Sequence, residues 1–360
     1  MTRSIQGLAA GGWAIVLLGA GLGQPARAAA DRIAITIDAS EAESVLAILD
    51  RRAAGQPIEP SSWQALQATE PYRRLKAREA KIAEQFHEPS IAFTDQDFQR
   101  FVLSDDLLKR RAALAATLER WKRANLRHAA ERPLRYLPAP ARLRAKVYPV
   151  IKPKRNSFVW ETSTDPAIFL YLDPDTSAAK FENTVAHELH HIGLASLGSD
   201  YEAKLASLPA PARTVATWMG SFGEGLAMLA AAGGPDVDPQ ATSSPADRAR
   251  WNRDLGHFAT DLRAVESFFL DVLSGKLKDP ASIEEKGGSF FGTQGPWYTV
   301  GYEMAVVVER RFGREALIST MLDPRRLLLL YNRAAAESRG PGGEPLPLWS
   351  ASLLQDVGAR

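Results

Sequence analysis

Three of the chain's six histidines fall in one run, His187-Glu188-Leu189-His190-His191. This is the pattern H-E-x-x-H. Four residues make slightly more than one helical turn, so on a helix His187 and His191 project from the same face. Both imidazoles can then reach one metal ion, and zinc accepts such nitrogen ligands readily. Glu188 lies at the edge of that face. Its carboxylate can hydrogen-bond a metal-bound water without binding the metal, which suits a general base. His190 is read as a structural or supporting residue, because pairing it with His187 as a ligand would leave Glu188 without a role.

A catalytic zinc has three protein ligands and one position open to water. The chain has no cysteine, so the third ligand must be His, Asp or Glu. Two acids downstream are candidates, Asp200 and Glu224. Glu224 sits in Ser221-Phe222-Gly223-Glu224-Gly225-Leu226-Ala227. A carboxylate at a helix start with small neighbours can approach a metal closely, and Glu224 is favoured on that ground. The competing reading makes it a first-turn acid stabilised by the helix dipole. The metzincin pattern would need Gly at position 194 and His at 197. Leu194 and Leu197 stand there, so that class is excluded.

The elements that must carry these residues are legible in outline. Alternation of polar and apolar residues predicts a strand over 32–38, with further strands over 145–151 and 167–172. A helix is expected over 41–52 with Ser40 as N-cap, then a loop over 56–62. Residues 70–131 read as mostly helical, with Leu107, Leu114, Leu118 and Trp121 on one face. The prolines of 133–140 mark the best internal boundary. It separates a mostly helical region, 31–140, from a catalytic region, 141–360. The motif helix is expected from 178 to about 197, and another helix near Glu224. A long helix over 247–274 carries Trp251, Leu255, Phe258, Leu262 and Val265. The glycine-rich, aromatic stretch 287–297 reads as a loop that either rims a cleft or anchors to the core. Met304, Val307, Val308 and Phe312 mark a helix stopped by Gly313. Residues 314–322 and 325–336 complete a helical C-terminal portion, Arg325 and Arg326 reading as a solvated helix start. The tail from Gly340 is expected to be loosely held.

His187-Glu188-Leu189-His190-His191 followed by Glu224-Gly225-Leu226-Ala227 resembles the gluzincin metallopeptidases. It looks most like poorly characterised bacterial families of zinc-dependent peptidases. Gly295 to Ala305 is similar to their downstream Y-x-x-G-x-x-M/I-A helix. The resemblance covers about 145–335. It implies a mainly α (α+β), zincin-like fold with a small β-sheet beside the active-site helix. It implies His187, His191 and Glu224 as ligands of Zn2+, Glu188 as base, and hydrolysis of a peptide or protein substrate. Tyr298 and Tyr302 lie in the family-like downstream segment, and a phenol can donate to the oxyanion. Packing is the competing role for both. Asp200, Glu202 and Asp261 are candidates to hold the ligand imidazoles from behind.

Residues 1–30 stand apart. Arg3 precedes an apolar run from Gly7 to Gly23, followed by Pro25 and Ala26-Arg27-Ala28-Ala29-Ala30. This is the layout of a cleavable signal peptide, and it predicts a periplasmic or secreted protein with no stable membrane insertion after cleavage. Losing Arg3 and Arg27 takes the formal charge from +2 to 0. A neutral mature chain has no global electrostatic reason to bind nucleic acid. Two other readings fit the same residues: a zincin-fold hydrolase of some other, restricted amide, and a non-catalytic helical scaffold whose zinc site is structural or absent.

Overall fold

The computed structural model describes residues 32–85, 87–198, 205–340 and 342–358. The leader 1–30, and with it the signal-peptide reading, lies outside the described residues, as do Asp200 and Glu202.

The chain enters on β1 (Ile33–Ile37) and continues through α1 (Ser40–Ala53), α2 (Pro60–Ala68), α3 (Glu70–Gln85), α4 (Asp95–Val102), α5 (Asp105–Lys122) and α6 (Leu126–Leu134). Three strands follow, β2 (Leu143–Val150), β3 (Phe158–Trp160) and β4 (Ala167–Tyr171), then the motif helix α7 (Ala178–Ala195). The rest is helical: α8 (Ala210–Met219), α9 (Gly223–Ala232), α10 (Pro245–Leu255), α11 (Phe258–Leu273), α12 (Pro280–Ser289), α13 (Pro296–Phe312), α14 (Arg314–Ile318), α15 (Pro324–Ala336) and α16 (Ala351–Asp356). The fold is therefore mainly helical with a small mixed sheet. Strand order is β1-β2-β4-β3, with β1, β2 and β4 parallel and β3 antiparallel at the edge.

The expected break at 133–140 does not divide the packing. β1 pairs with β2 from Ile33 opposite Leu143 to Ile37 opposite Val147. One core runs from α1 and α5 through β2 and β4 to Phe181, Val185, Leu189 and Ile192 of α7. Pro133 sits inside α6, close to its end. A second core is built from α8 to α16 around Phe222, Phe269, Trp297 and Trp349.

Several local expectations need correction. Ala39, not Ser40, precedes α1, and the Ser40 N–H donates to Asp38 Oδ1 at 2.9 Å. The loop over 56–62 gives way to α2 at Pro60, where a proline at the helix start costs no hydrogen bond. The long helix over 247–274 is two, α10 and α11, interrupted at Gly256 and His257, where glycine's low helix propensity permits the break. Gly287 and Gly288 belong to α12, and Trp297 is fully buried with its Nε1 donating to Gly287 O at 2.9 Å. That stretch anchors to the core. The tail is held too, since Trp349, Leu353 and Val357 are buried. Arg325 is paired with Asp323 and donates to Val357 O.

Helices α9 and α13 touch backbone to backbone. A Cβ on Gly225 would lie 2.0 Å from Tyr302 N, and one on Gly301 would lie 2.5 Å from Phe222 O. A Cβ on Gly223 meets nothing within 4 Å. Gly225→Ala is therefore expected to cost about 3 kcal/mol or more, the upper end of overpacking effects. Gly223→Ala is expected to be neutral or to stabilise by up to about 1 kcal/mol. Urea-unfolding midpoints of the two variants check this pair, and equal midpoints would contradict the contact.

Candidate metal centre

Ser177 caps α7 by accepting from Lys180 N at 3.1 Å, and the helix then runs unbroken through the motif. Phe181, Val185, Leu189 and Ile192 are buried on one side. His187, Glu188 and His191 are left partly exposed. Ala186 packs with Ala129 of α6 and Ala231 of α9. With only methyl groups at that junction, α9 comes close enough to deliver its acid.

The three expected ligand atoms meet. His187 Nε2 lies 3.1 Å from Glu224 Oε2 and 3.2 Å from His191 Nε2, and the third edge, His191 Nε2 to Glu224 Oε2, is 3.4 Å. Ligand bonds of about 2.0–2.1 Å at tetrahedral angles place donor atoms about 3.3 Å apart. The triangle therefore has the size of one face of a zinc tetrahedron. His187, His191 and Glu224 form a group of potential metal ligands among the described residues, all within 4.8 Å of one another.

The electrostatics reflect that crowding. Burial opposes charge on His191, yet the charge and hydrogen bond of Glu224, with Glu188 beyond, raise its pKa to about 9. Burial would raise the Glu224 carboxyl, but His191 and His187 hold it well below the usual carboxylate range. The acid is thus ionised and ready to ligate at any ordinary pH.

The other expected residues divide. Tyr298 comes to the site: its ring stacks on His187 at 6.2 Å between centroids and 15° between planes. Burial, together with Glu224 and then Glu188, raises its phenol far above the ordinary tyrosine value. Tyr302 does not come to the site. It faces the core, with its ring edge-on to Trp251 at 5.4 Å, and burial first and then Glu303 push its pKa up to about 12. The two tyrosines are one turn apart, about 6 Å along the same side of α13. The split is therefore one of position along the helix: Tyr302 stands at the contact with α9, its N 2.0 Å from a Cβ on Gly225, and Tyr298 lies one turn before it. Asp261 lies on α11, where its carboxyl pKa is raised by burial and its ionisable neighbours are His257 and Asp254. His187 Nδ1 is buried with no hydrogen-bond partner among the described residues. His190 is fully buried, and burial, with His191 and His187, drives its pKa well below the usual value, so it stays neutral.

Removing one ligand should cost no less than removing a supporting group, which typically lowers metal affinity about 10–100-fold. Glu224→Ala is expected to lose at least that much zinc affinity in equilibrium dialysis. Zinc is also expected to raise the thermal midpoint of the unaltered chain and not that of the variant. Undiminished zinc in Glu224→Ala would move the third ligand elsewhere, with Asp200 the first alternative.

No curated protein and no solved structure matches the chain significantly. One family profile does, over residues 63–340, which is more than half of the chain and includes the whole His187–His191–Glu224 cluster. The chain belongs to the family described as "Putative zinc dependent peptidase (DUF5700)".

Proposed function

We propose that this chain is an exported zinc-dependent peptidase in which His187, His191 and Glu224 hold the metal and Glu188 is the general base. The observation that carries the reading is the 3.1–3.4 Å triangle of ligand atoms on two different helices. Three ligands among the described residues leave a vertex for water, whereas a closed structural site would have four. Zinc, when bound, supplies a Lewis acid that lowers the pKa of water and polarises a carbonyl.

Glu188 is partly exposed beside the ligands, and its charge is felt at both His191 and Tyr298. That position lets its carboxylate take a proton from the attacking water and return it to the leaving amine. Tyr298 stays protonated, since its pKa is raised far above the ordinary tyrosine value, so its hydroxyl keeps a proton to donate. A donor there can stabilise the oxyanion that develops on the scissile carbonyl. Export rests on the leader 1–30, whose charge and apolar run match a signal peptide.

Glu188→Gln is expected to retain zinc and lose turnover of a mixed peptide library by about 10²–10⁴-fold. Tyr298→Phe is expected to lower kcat by up to about 10²–10³-fold, with a smaller change in KM. Elemental analysis and mass-spectrometric cleavage assays on the same preparations check both. Full activity in Glu188→Gln would overturn the mechanism.

A further inference from the structure

Beside the metal centre runs a groove of about 610 Å³. Leu194 and Ala195 of α7 form one wall, and Met219, Gly223 and Leu226 form the other, with Met321 between them. Leu194 and Ala195 follow His191 by one helical turn, about 5 Å along the same face. Gly223 is the residue before Glu224, about 3.8 Å away at the Cα. The groove is therefore lined by residues that adjoin two of the three ligands, one helical turn beyond His191 and immediately before Glu224. It follows the seam between the two cores, with Met321 packed against both.

Its chemistry is one-sided. Among the described residues no charged side chain lines it, and the polar ones are Thr162, Ser163 and Thr320. The Thr320 hydroxyl is already committed to Leu317 O at 2.7 Å. A charged group entering would lose water and find no charged partner among the described lining residues. The volume lies within the roughly 300–1,000 Å³ of ligand pockets, more than a single side chain fills. Two methionine thioethers give walls that adapt to different apolar shapes.

Gly223 is the informative residue. Its backbone is right-handed helical, φ −52° and ψ −27°, so any residue could stand there. No neighbour lies within 4 Å of a Cβ at this position. Neither backbone nor packing calls for glycine at 223; the missing side chain keeps the groove open beside Glu224. The far rim is held firmly. Thr162 and Ser163 belong to the β3–β4 turn, where Arg74 of α3 donates to Glu161 Oε2 at 2.6 Å and Asp165 Oδ2 at 2.8 Å.

We infer that this groove receives uncharged apolar residues of the substrate on one side of the bond to be cut. The preferred substrates are then peptides with at least two neighbouring apolar residues there. The inference rests on the peptidase reading above.

The test compares matched peptides carrying Leu-Leu, Phe-Leu, Gly-Gly, Asp-Asp or Lys-Lys at the varied positions. Cleavage is read on the zinc-loaded full chain, and binding of the same labelled peptides is read by fluorescence anisotropy on the full chain kept metal-free. The apolar peptides are expected to be favoured over the charged ones by about ten-fold or more in both assays. Gly223→Phe, and Ala195→Phe from the opposite wall, are each expected to reduce that ratio to about two-fold or less. Zinc content and circular dichroism report whether each variant is folded. A ratio unchanged in either folded variant, or equal treatment of all peptides by the unaltered chain, would overturn the groove's role. If no peptide is cut but apolar peptides still bind and Gly223→Phe prevents it, the groove assignment stands and the peptidase reading fails.

Discussion

Glu224 meets His187 because two helices approach more closely than side chains normally allow. Gly225 on α9 and Gly301 on α13 face one another, and a Cβ on Gly225 would come within 2.6 Å of three backbone atoms of α13. Phe222, one turn earlier, fills the space beside this contact, with its ring 5.2 Å from Trp297 and 5.9 Å from Trp349. The position of the acid is therefore set by a buried aromatic core and a backbone contact. The same contact sets Tyr298, which follows Trp297 on α13 and stacks on His187. Ligand and phenol share one rigid mount, as a site that must hold its geometry requires.

That mount has to hold groups that resist being brought together. Two imidazoles and a carboxylate in a partly buried space would each retain water if free to do so. Here the carboxylate and His191 offset one another's desolvation, at the price of a strongly perturbed pair. The remaining resistance is met by packing: Ala129, Ala186 and Ala231 let three helices converge on the motif, and apolar residues of α7 are buried on its other side. Native structures set such locally unfavourable arrangements at functional sites and stabilise them from elsewhere.

How much of this was legible depended on whether the determining contacts were local. H-E-x-x-H is a one-turn pattern, so His187, Glu188 and His191 could be placed from spacing alone. The strands over 145–151 and 167–172 and the helices bounded by Gly313 were visible for the same reason. The reason for the glycines around Glu224 was visible only in part. Both looked like small neighbours of a ligand, but Gly225 serves the helix contact and Gly223 opens the groove, and only the partner surfaces distinguish them. Tyr298 and Tyr302 looked equivalent because, four residues apart, they share one side of α13, and only the point at which α9 crosses that helix distinguishes them. β3, three residues long, is too short for a periodic signal. Arg74 carries no motif, and its role comes from a turn more than eighty residues away.

The same logic removes the apparent independence of the N-terminal region. The prolines of 133–140 look like a linker, yet β1 extends the sheet on one side of them and α6 packs on the motif helix. Arg74 reaches across to fix the turn that rims the groove. His187 and His191 stand on a helix buried in this first core, whereas Glu224 and Tyr298 stand on helices of the second. Ligand cluster and groove thus lie on one seam, and anything that binds there is held by both halves at once. A five-residue motif on one helix therefore depends on nearly the whole chain, which fits a family profile that extends from residue 63 to residue 340 instead of stopping at the motif and its acid.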